Sequence, residues 1–301
     1  GYRKGNKGGR IREIPGMSPA MIPMLLPYTI FVKLKDLQLE LPEYTEEVLI
    51  VEPDPEVLSN VSKFQSQLKT LIRKHPKILG AYLQSCLGYP DRADQDEAIY
   101  DLDDEGERTE LLASMSSIYE ASYPKDDALI ELIRMEHAEG RKVLVFFTQT
   151  QRRDARKRVR EAIEATGLRV VQLDSNVSPE KREEWLRDQC EIGFDVMLTN
   201  GRLVETGLDL LFANTIVQYG IEYSINSLRQ SIRRSWRLGQ NKSVRVVFMA
   251  YRGTMQAIAI DLIARKMRAA ELVDGDAAGG LAQFDVGGGN FLLELAQEAL
   301  A

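Results

Sequence analysis

Between Gln230 and Gln240 the chain reads Gln-Ser-Ile-Arg-Arg-Ser-Trp-Arg-Leu-Gly-Gln. Arg234 and Arg237 are three residues apart, and a helix over Ser227–Arg237 projects such a pair from one face. Two guanidinium groups aimed into one cleft repel each other unless an anion sits between them. A polyphosphate suits that geometry, because arginine makes planar, forked contacts to phosphate oxygens. Taken alone, the pattern is more often the solvated face of a basic helix, so its context has to decide.

Other chemistry-bearing residues are fewer. Gln151–Arg160 carries Arg152, Arg153, Arg156, Lys157, Arg158 and Arg160, either an anion-gripping face or a solvated one. Asp96-Glu97-Ala98-Ile99 resembles a magnesium-holding acidic box, but hydrophilic residues precede it where a buried strand is needed. It falls in Asp91–Glu110, where ten of twenty residues are acidic, and reads as a solvated loop or a connector's polar face. No GxxxxGK[S/T] occurs, and Gly5–Arg10 has the glycines without the spacing or a preceding strand, so the chain alone is not built to hold Mg·ATP. Two cysteines (Cys86, Cys190) and two histidines (His75, His137), without ligand spacing, exclude a disulfide framework and leave no metal site expected. Trp185 reads as a core residue. The net charge of −6 argues against nucleic acid only on the surface, since without the acidic stretch the remainder is slightly positive.

The elements that must position these residues alternate. Over 301 residues, about two domains fit at roughly 150 residues each. Val143–Phe147 is an unbroken apolar run, as in a strand buried on both faces. Gln151–Ala165 has a helical apolar stripe, Arg169–Leu173 a second strand, and Ser178-Pro179-Glu180 a helix start leading through Gln189. Val196–Thr199, Thr215–Tyr219 and Val244–Ala250 supply further strands. The fold class expected is α/β, a parallel sheet with helices on both faces. Residues 1–123 lack that alternation beyond a short strand at Val48–Val51 and a helix over Pro55–Arg73; they read as a mainly helical accessory region. Residues 124–270 form the sheet domain and 271–301 a glycine-rich tail ending in a short helix. No leader precedes an apolar core and no stretch is long enough to span a bilayer, pointing to a cytoplasmic protein without membrane contact.

The context of the arginine pair is a set of motifs in order. Gln230, Arg234, Arg237, Gly239 and Gln240 match Q-x-x-G/D-R-x-H/W-R-x-G-Q, the last helicase motif of superfamily 2 in its Swi/Snf-type form; Arg233 departs from it. Gly207-Leu208-Asp209 within Thr199–Leu210 resembles the preceding motif, Phe147-Thr148-Gln149 the F-S/T-Q motif, and Leu173-Asp174-Ser175 through Pro179-Glu180-Lys181-Arg182 the "LDG…S…ER" segment. The resemblance covers about Arg141–Arg268. A glycine-rich "RAGG" stretch is absent, Thr199–Gly207 is two residues longer than usual, and Ser175 replaces glycine. The wording N-x-RLVxTGLDL…LRQ…RRSWRxGQ resembles prokaryotic or phage-borne helicases. Met24–Leu41 is similar to the family's segment leading out of the first lobe.

The resemblance implies the second RecA-like lobe of a two-lobe DNA translocase. ATP with Mg2+ would be held mainly by a first lobe absent from this chain. Arg237 would be the arginine finger with Arg234 beside it, and Gln230, Gly207 and Asp209 would line the nucleotide side. Thr148, Gln149, Arg152, Thr199 and Asn200 would grip the DNA backbone independently of base sequence, with Arg153 and Arg156 extending that surface. The alternative is a non-catalytic, degenerate RecA-like module that binds DNA or a protein. A doubly wound nucleotide-binding transferase is disfavoured by the lack of GxGxxG.

Overall fold

The computed structural model describes residues 2–3, 12–13, 42–103, 105, 107–150, 153–204, 207–221, 225–264 and 295. Two-residue strands β1 (Tyr2–Arg3) and β2 (Arg12–Glu13) pair antiparallel. The chain continues through β3 (Tyr44–Val51), α1 (Pro55–Lys74), α2 (Leu79–Gly88) and a hairpin, β4 (Glu97–Leu102) and β5 (Arg108–Met115). Then strands and helices alternate: α3 (Pro124–Ala138), β6 (Lys142–Phe146), α4 (Arg156–Glu164), β7 (Val170–Leu173), α5 (Arg182–Ile192) and β8 (Val196–Thr199). A one-turn α6 (Gly201–Val204), β9 (Ala213–Gln218), α7 (Ile225–Arg233), β10 (Val244–Tyr251) and a helix over 255–264, α8, complete it.

Six strands form one parallel sheet in the order β3-β10-β9-β6-β8-β7. The fold is RecA-like, as the α/β reading expected. Its inner strands are mostly apolar because both faces are covered. Val143, Val145, Val196, Leu198, Val217, Val247 and Met249 point to one side, against Leu129, Leu132 and Ile133 of α3 and Val159 and Ile163 of α4. Their neighbours Leu144, Phe146, Met197, Ile216, Val246 and Phe248 point to the other, joined by Leu186 of α5, Ile232 of α7 and Ile260 and Ile263 of α8. Period-two alternation at two buried faces leaves strands such as β6 and β8 as the continuous apolar runs that the sequence shows.

Two expectations for the first 123 residues need correction. The sheet extends into that region: β3 lies parallel to β10 along eight residue pairs, from Val244↔Tyr44 to Tyr251↔Val51. The expected strand is half as long because Thr45–Glu47 carry polar, exposed side chains at an edge. The acidic stretch is a β-hairpin and not a loop. Ile99, Ala113 and Met115 face Val57, Val61 and Phe64 of α1, while Glu97 turns inward to accept from Ser85 Oγ at 2.9 Å. Asp103 closes the hairpin's turn by accepting from the Glu105 and Glu107 amides at 2.9 and 2.8 Å. Charge density hid the alternation. Met24–Leu41 and the tail's closing helix, Leu295 apart, lie outside the described residues. Among the described residues no helix is long and apolar enough to cross a membrane.

Candidate functional site

The arginine pair does not sit on a helix. α7 ends at Arg233, and Arg234–Gly239 run through turns. The Ile232 carbonyl accepts from both the Ser235 and Trp236 amides, at 3.0 and 3.2 Å, the shared acceptor common at a helix end. Gly239 then takes φ +96°, where an L side chain is strained, and reverses the chain. The helical-face argument for Arg234 and Arg237 therefore falls, but a different scaffold holds them. Gln240 is buried and its amide reaches the Leu211 and Ser235 carbonyls at 3.0 and 3.1 Å, while its oxygen accepts from Asn214 Nδ2 at 3.1 Å. The Leu210 amide donates to the Arg234 carbonyl at 3.3 Å.

This binds the turn to the segment that precedes β9. Gly207, at φ +81°, bends that segment, and Asp209 pairs with Arg237 Nη1. Both side chains are open to solvent. Arg234 is half-buried, and Gln230 is exposed on α7. Of the residues expected on the nucleotide side, then, Asp209 and Arg237 touch. They precede the starts of β9 and β10, so they lie toward the beginning of the parallel strands and not at their tips.

The strand tips hold a second constellation. β6 has β8 on one side and β9 on the other, and chain direction across the sheet reverses there, the place where open parallel sheets bind ligands. Thr148 follows β6, Asn200 follows β8 and Gly220 follows β9. Asn200 Nδ2 donates to the Thr148 carbonyl at 3.1 Å, and its Oδ1 accepts from the Arg202 amide at 3.0 Å at the start of α6. A methyl on Gly220 would lie 2.5 Å from Thr148 Oγ1 and 2.8 Å from its amide nitrogen, so only glycine lets these tips meet. No sequence motif had singled out Gly220. Its signal is a glycine directly after an apolar strand, at Val-Gln-Tyr-Gly.

Other expected gripping residues are engaged inside the protein. Thr199 is fully buried as the last residue of an inner strand, its hydroxyl donating to the Leu173 carbonyl at 3.2 Å. Gln149 turns toward α2 and donates to the Gln84 carbonyl at 3.3 Å. Arg153 lies on Glu97 and donates to Ser85 Oγ at 3.3 Å; Arg156 pairs with Asp154 and Asp174; Arg158 pairs with Asp126 at 2.7 Å. The arginine-rich segment thus serves mostly as internal clamps. Asp154 apart, the acidic partners lie 18 to 56 residues away in sequence, which no local pattern reveals. Arg152 lies outside the described residues.

Beneath the tips, Lys125 is fully buried. Its Nζ donates to Asp91 at 2.8 Å and to Gln256 Oε1 at 3.2 Å, and lies 4.3 Å from the Tyr219 ring centre. Burial pushes the ammonium down and the Asp91 carboxyl up from their ordinary ranges, while their mutual attraction opposes both shifts. The cluster joins the accessory region, α3, β9 and α8. Cys86 is a buried thiol pushed up to about 12 by burial, and the histidines contact Asp101 and Asp195. Among the described residues no group of three or more His, Cys, Asp or Glu side chains is placed to hold a metal.

With the arginine turn, its acidic partner and the strand tips placed, the comparisons take a specific form. Residues 124–239 match the helicase conserved C-terminal domain. The INO80 chromatin-remodeling ATPase of Candida glabrata is 26% identical over 149 residues, 49% of this chain and 10% of the relative. Its counterpart in Aspergillus clavatus is 28% identical over 155 residues, 51% of this chain and 9% of the relative. The mouse chromodomain-helicase-DNA-binding protein 1-like is 25% identical over 145 residues, 48% of this chain and 16% of its own. The chain thus spans about a tenth to a sixth of the length of these relatives. The fold is similar to the crystal structure of the C-terminal part of the Fun30 ATPase domain, with a TM-score of 0.54, 13% identity, and coverage of 86% of this chain and 100% of that one.

Proposed function

We propose that this chain is the C-terminal motor lobe of an ATP-dependent DNA translocase of the Swi/Snf type. A first lobe would bind ATP with Mg2+, and Arg237 would swing from Asp209 to the transferring phosphoryl group when the lobes close. The observation that carries the reading is the Asp209–Arg237 contact, which brings the last two helicase motifs together at one solvent-facing edge of the matched domain. Arg234 supports the same anion, and Gln230, Gly207 and Asp209 shape the nucleotide side. An arginine finger is worth about 10³ to 10⁵ in rate, or roughly 4–7 kcal/mol. Such a division of labour leaves the chain alone with little or no ATP hydrolysis.

At the other edge, Thr148 and Asn200, with Arg152 and Gln149, would hold phosphates of the DNA backbone without reading bases. Thr199 supports them from within the sheet. The prokaryotic or phage-like variety, and with it a cytoplasmic setting, rests on the wording of Asn200–Leu210 and Leu228–Gln240 alone; the relatives named above are fungal and murine.

Joining this chain to a matching first lobe and measuring ATP hydrolysis with and without duplex DNA tests the reading. DNA-stimulated turnover that needs both lobes is expected. Turnover by the first lobe unaffected by this chain would favour the non-catalytic module instead.

A further inference from the structure

Because α7 stops at Arg233, no helix holds Arg237 in place. What fixes the turn is a small number of contacts, and one of them reaches across the molecule. Trp236, the residue between Ser235 and Arg237, is half-buried. Its indole Nε1–H donates to the Pro42 carbonyl at 2.9 Å, and its ring lies 4.9 Å from the Tyr44 ring at 36°. Both partners sit at the start of β3, the sheet's edge strand. They are 194 and 192 residues from Trp236 in sequence, so nothing local requires the contact.

The acceptor is stiff. Proline fixes its own φ, and the next carbonyl, that of Glu43, accepts from the Val244 amide at 2.8 Å, which locks this stretch to β10. A half-buried indole N–H without a partner is costly, so the tryptophan has one well-defined seat. Arg237 follows it by a single residue and therefore inherits its position. We propose that Trp236 is a positioning residue for Arg237, tying the arginine turn to the strand by which the preceding chain enters the sheet. This deepens the motor-lobe reading and rests on it. Any shift of 42–44 relative to β10 then moves the arginine that must meet the phosphoryl group. A displacement of about 1 Å at a reacting group costs up to roughly 10²-fold in rate.

The test uses the two-lobe protein and compares Trp236→Phe, Trp236→Ala, Arg237→Ala and the Trp236→Ala/Arg237→Ala pair in DNA-stimulated ATP hydrolysis. Trp236→Ala is expected to lower kcat by about 10- to 100-fold while the KM for ATP and the affinity for duplex DNA stay near the parent's. Trp236→Phe keeps an aromatic ring for Tyr44 but loses the N–H and the second ring of the indole, so a loss of roughly two- to tenfold in kcat is expected. In the pair, the tryptophan change should add almost nothing to the loss from Arg237→Ala, because its whole effect passes through that side chain. If Trp236→Ala fails to fold, Trp236→Phe carries the test. A parental kcat in Trp236→Phe, or tryptophan and arginine losses that multiply, overturns the proposal while leaving the finger assignment intact. Full turnover in Arg237→Ala overturns the finger assignment itself, and this proposal with it.

Discussion

Arg237 rests on Asp209 in a pair whose side chains are 45% and 60% exposed. An ion pair so open to water contributes about 0–1 kcal/mol, so leaving it for a phosphate costs little. Asp209 is therefore not a pillar of the fold. Asp209→Ala is expected to leave the thermal midpoint of the chain within a few degrees of the parent's, which a melting curve checks. Gly220 is the opposite case. Its missing side chain is what allows Thr148 to approach, and Gly220→Ala forces the β6 and β9 tips apart. Overpacking of this kind costs about 1–3 kcal/mol. Denaturant unfolding should report that loss, accompanied by weaker DNA binding; an unchanged variant would show that the tips yield freely.

At the scale of elements, the cluster around Lys125 joins parts that sequence keeps far apart. Lys125→Met would leave Asp91 buried without its cation, a change that costs about 3–5 kcal/mol near neutral pH. The Asp91 carboxyl is already held above its ordinary range by burial and rises further without the ammonium. A group raised in this way contributes stability that is complete below the unfolded value of 3.8 and is lost as pH climbs through the folded one. The gap between parent and variant should therefore narrow as pH falls from neutral toward 3.8 in urea unfolding, and Asp91→Asn added to Lys125→Met should recover part of it. A gap independent of pH would place the loss elsewhere. The cluster also marks where sequence reading stops. Strands such as Val196–Thr199 were legible because burial on both faces writes an apolar run into the chain. Lys125, Asp91 and Gln256 form no pattern, since their pairing exists only once α3, α8 and the accessory region meet. Similarly, the arginines of 153–158 looked like a basic surface because their carboxylate partners belong to other elements. The motif residues themselves were legible, but the geometry joining them was not. Helical spacing put Arg234 and Arg237 on one face, whereas the shared Ile232 carbonyl and Gly239 give them a turn.

At the scale of the molecule, the proposed function gives two tasks to the two ends of one sheet. The tips of β6, β8 and β9 offer Thr148, Asn200 and the nearby backbone, while the beginnings of β9 and β10 present Asp209 and Arg237. The hydrophobic layers between them are continuous across the sheet, so a rotation of this lobe carries both edges together. Grip by a few phosphate contacts should show in a salt series: log affinity for duplex DNA should fall with log salt by about 0.9 per neutralised phosphate, with little dependence on base sequence. A slope near zero, or strong discrimination between sequences, would remove the backbone-grip reading without touching the nucleotide edge.

The most direct test of the account lies at that nucleotide edge. In the two-lobe protein, with DNA saturating, Arg237→Ala should lower kcat for ATP hydrolysis by about 10³ to 10⁵ while ATP and DNA still bind. Turnover within a fewfold of the parent's would contradict it.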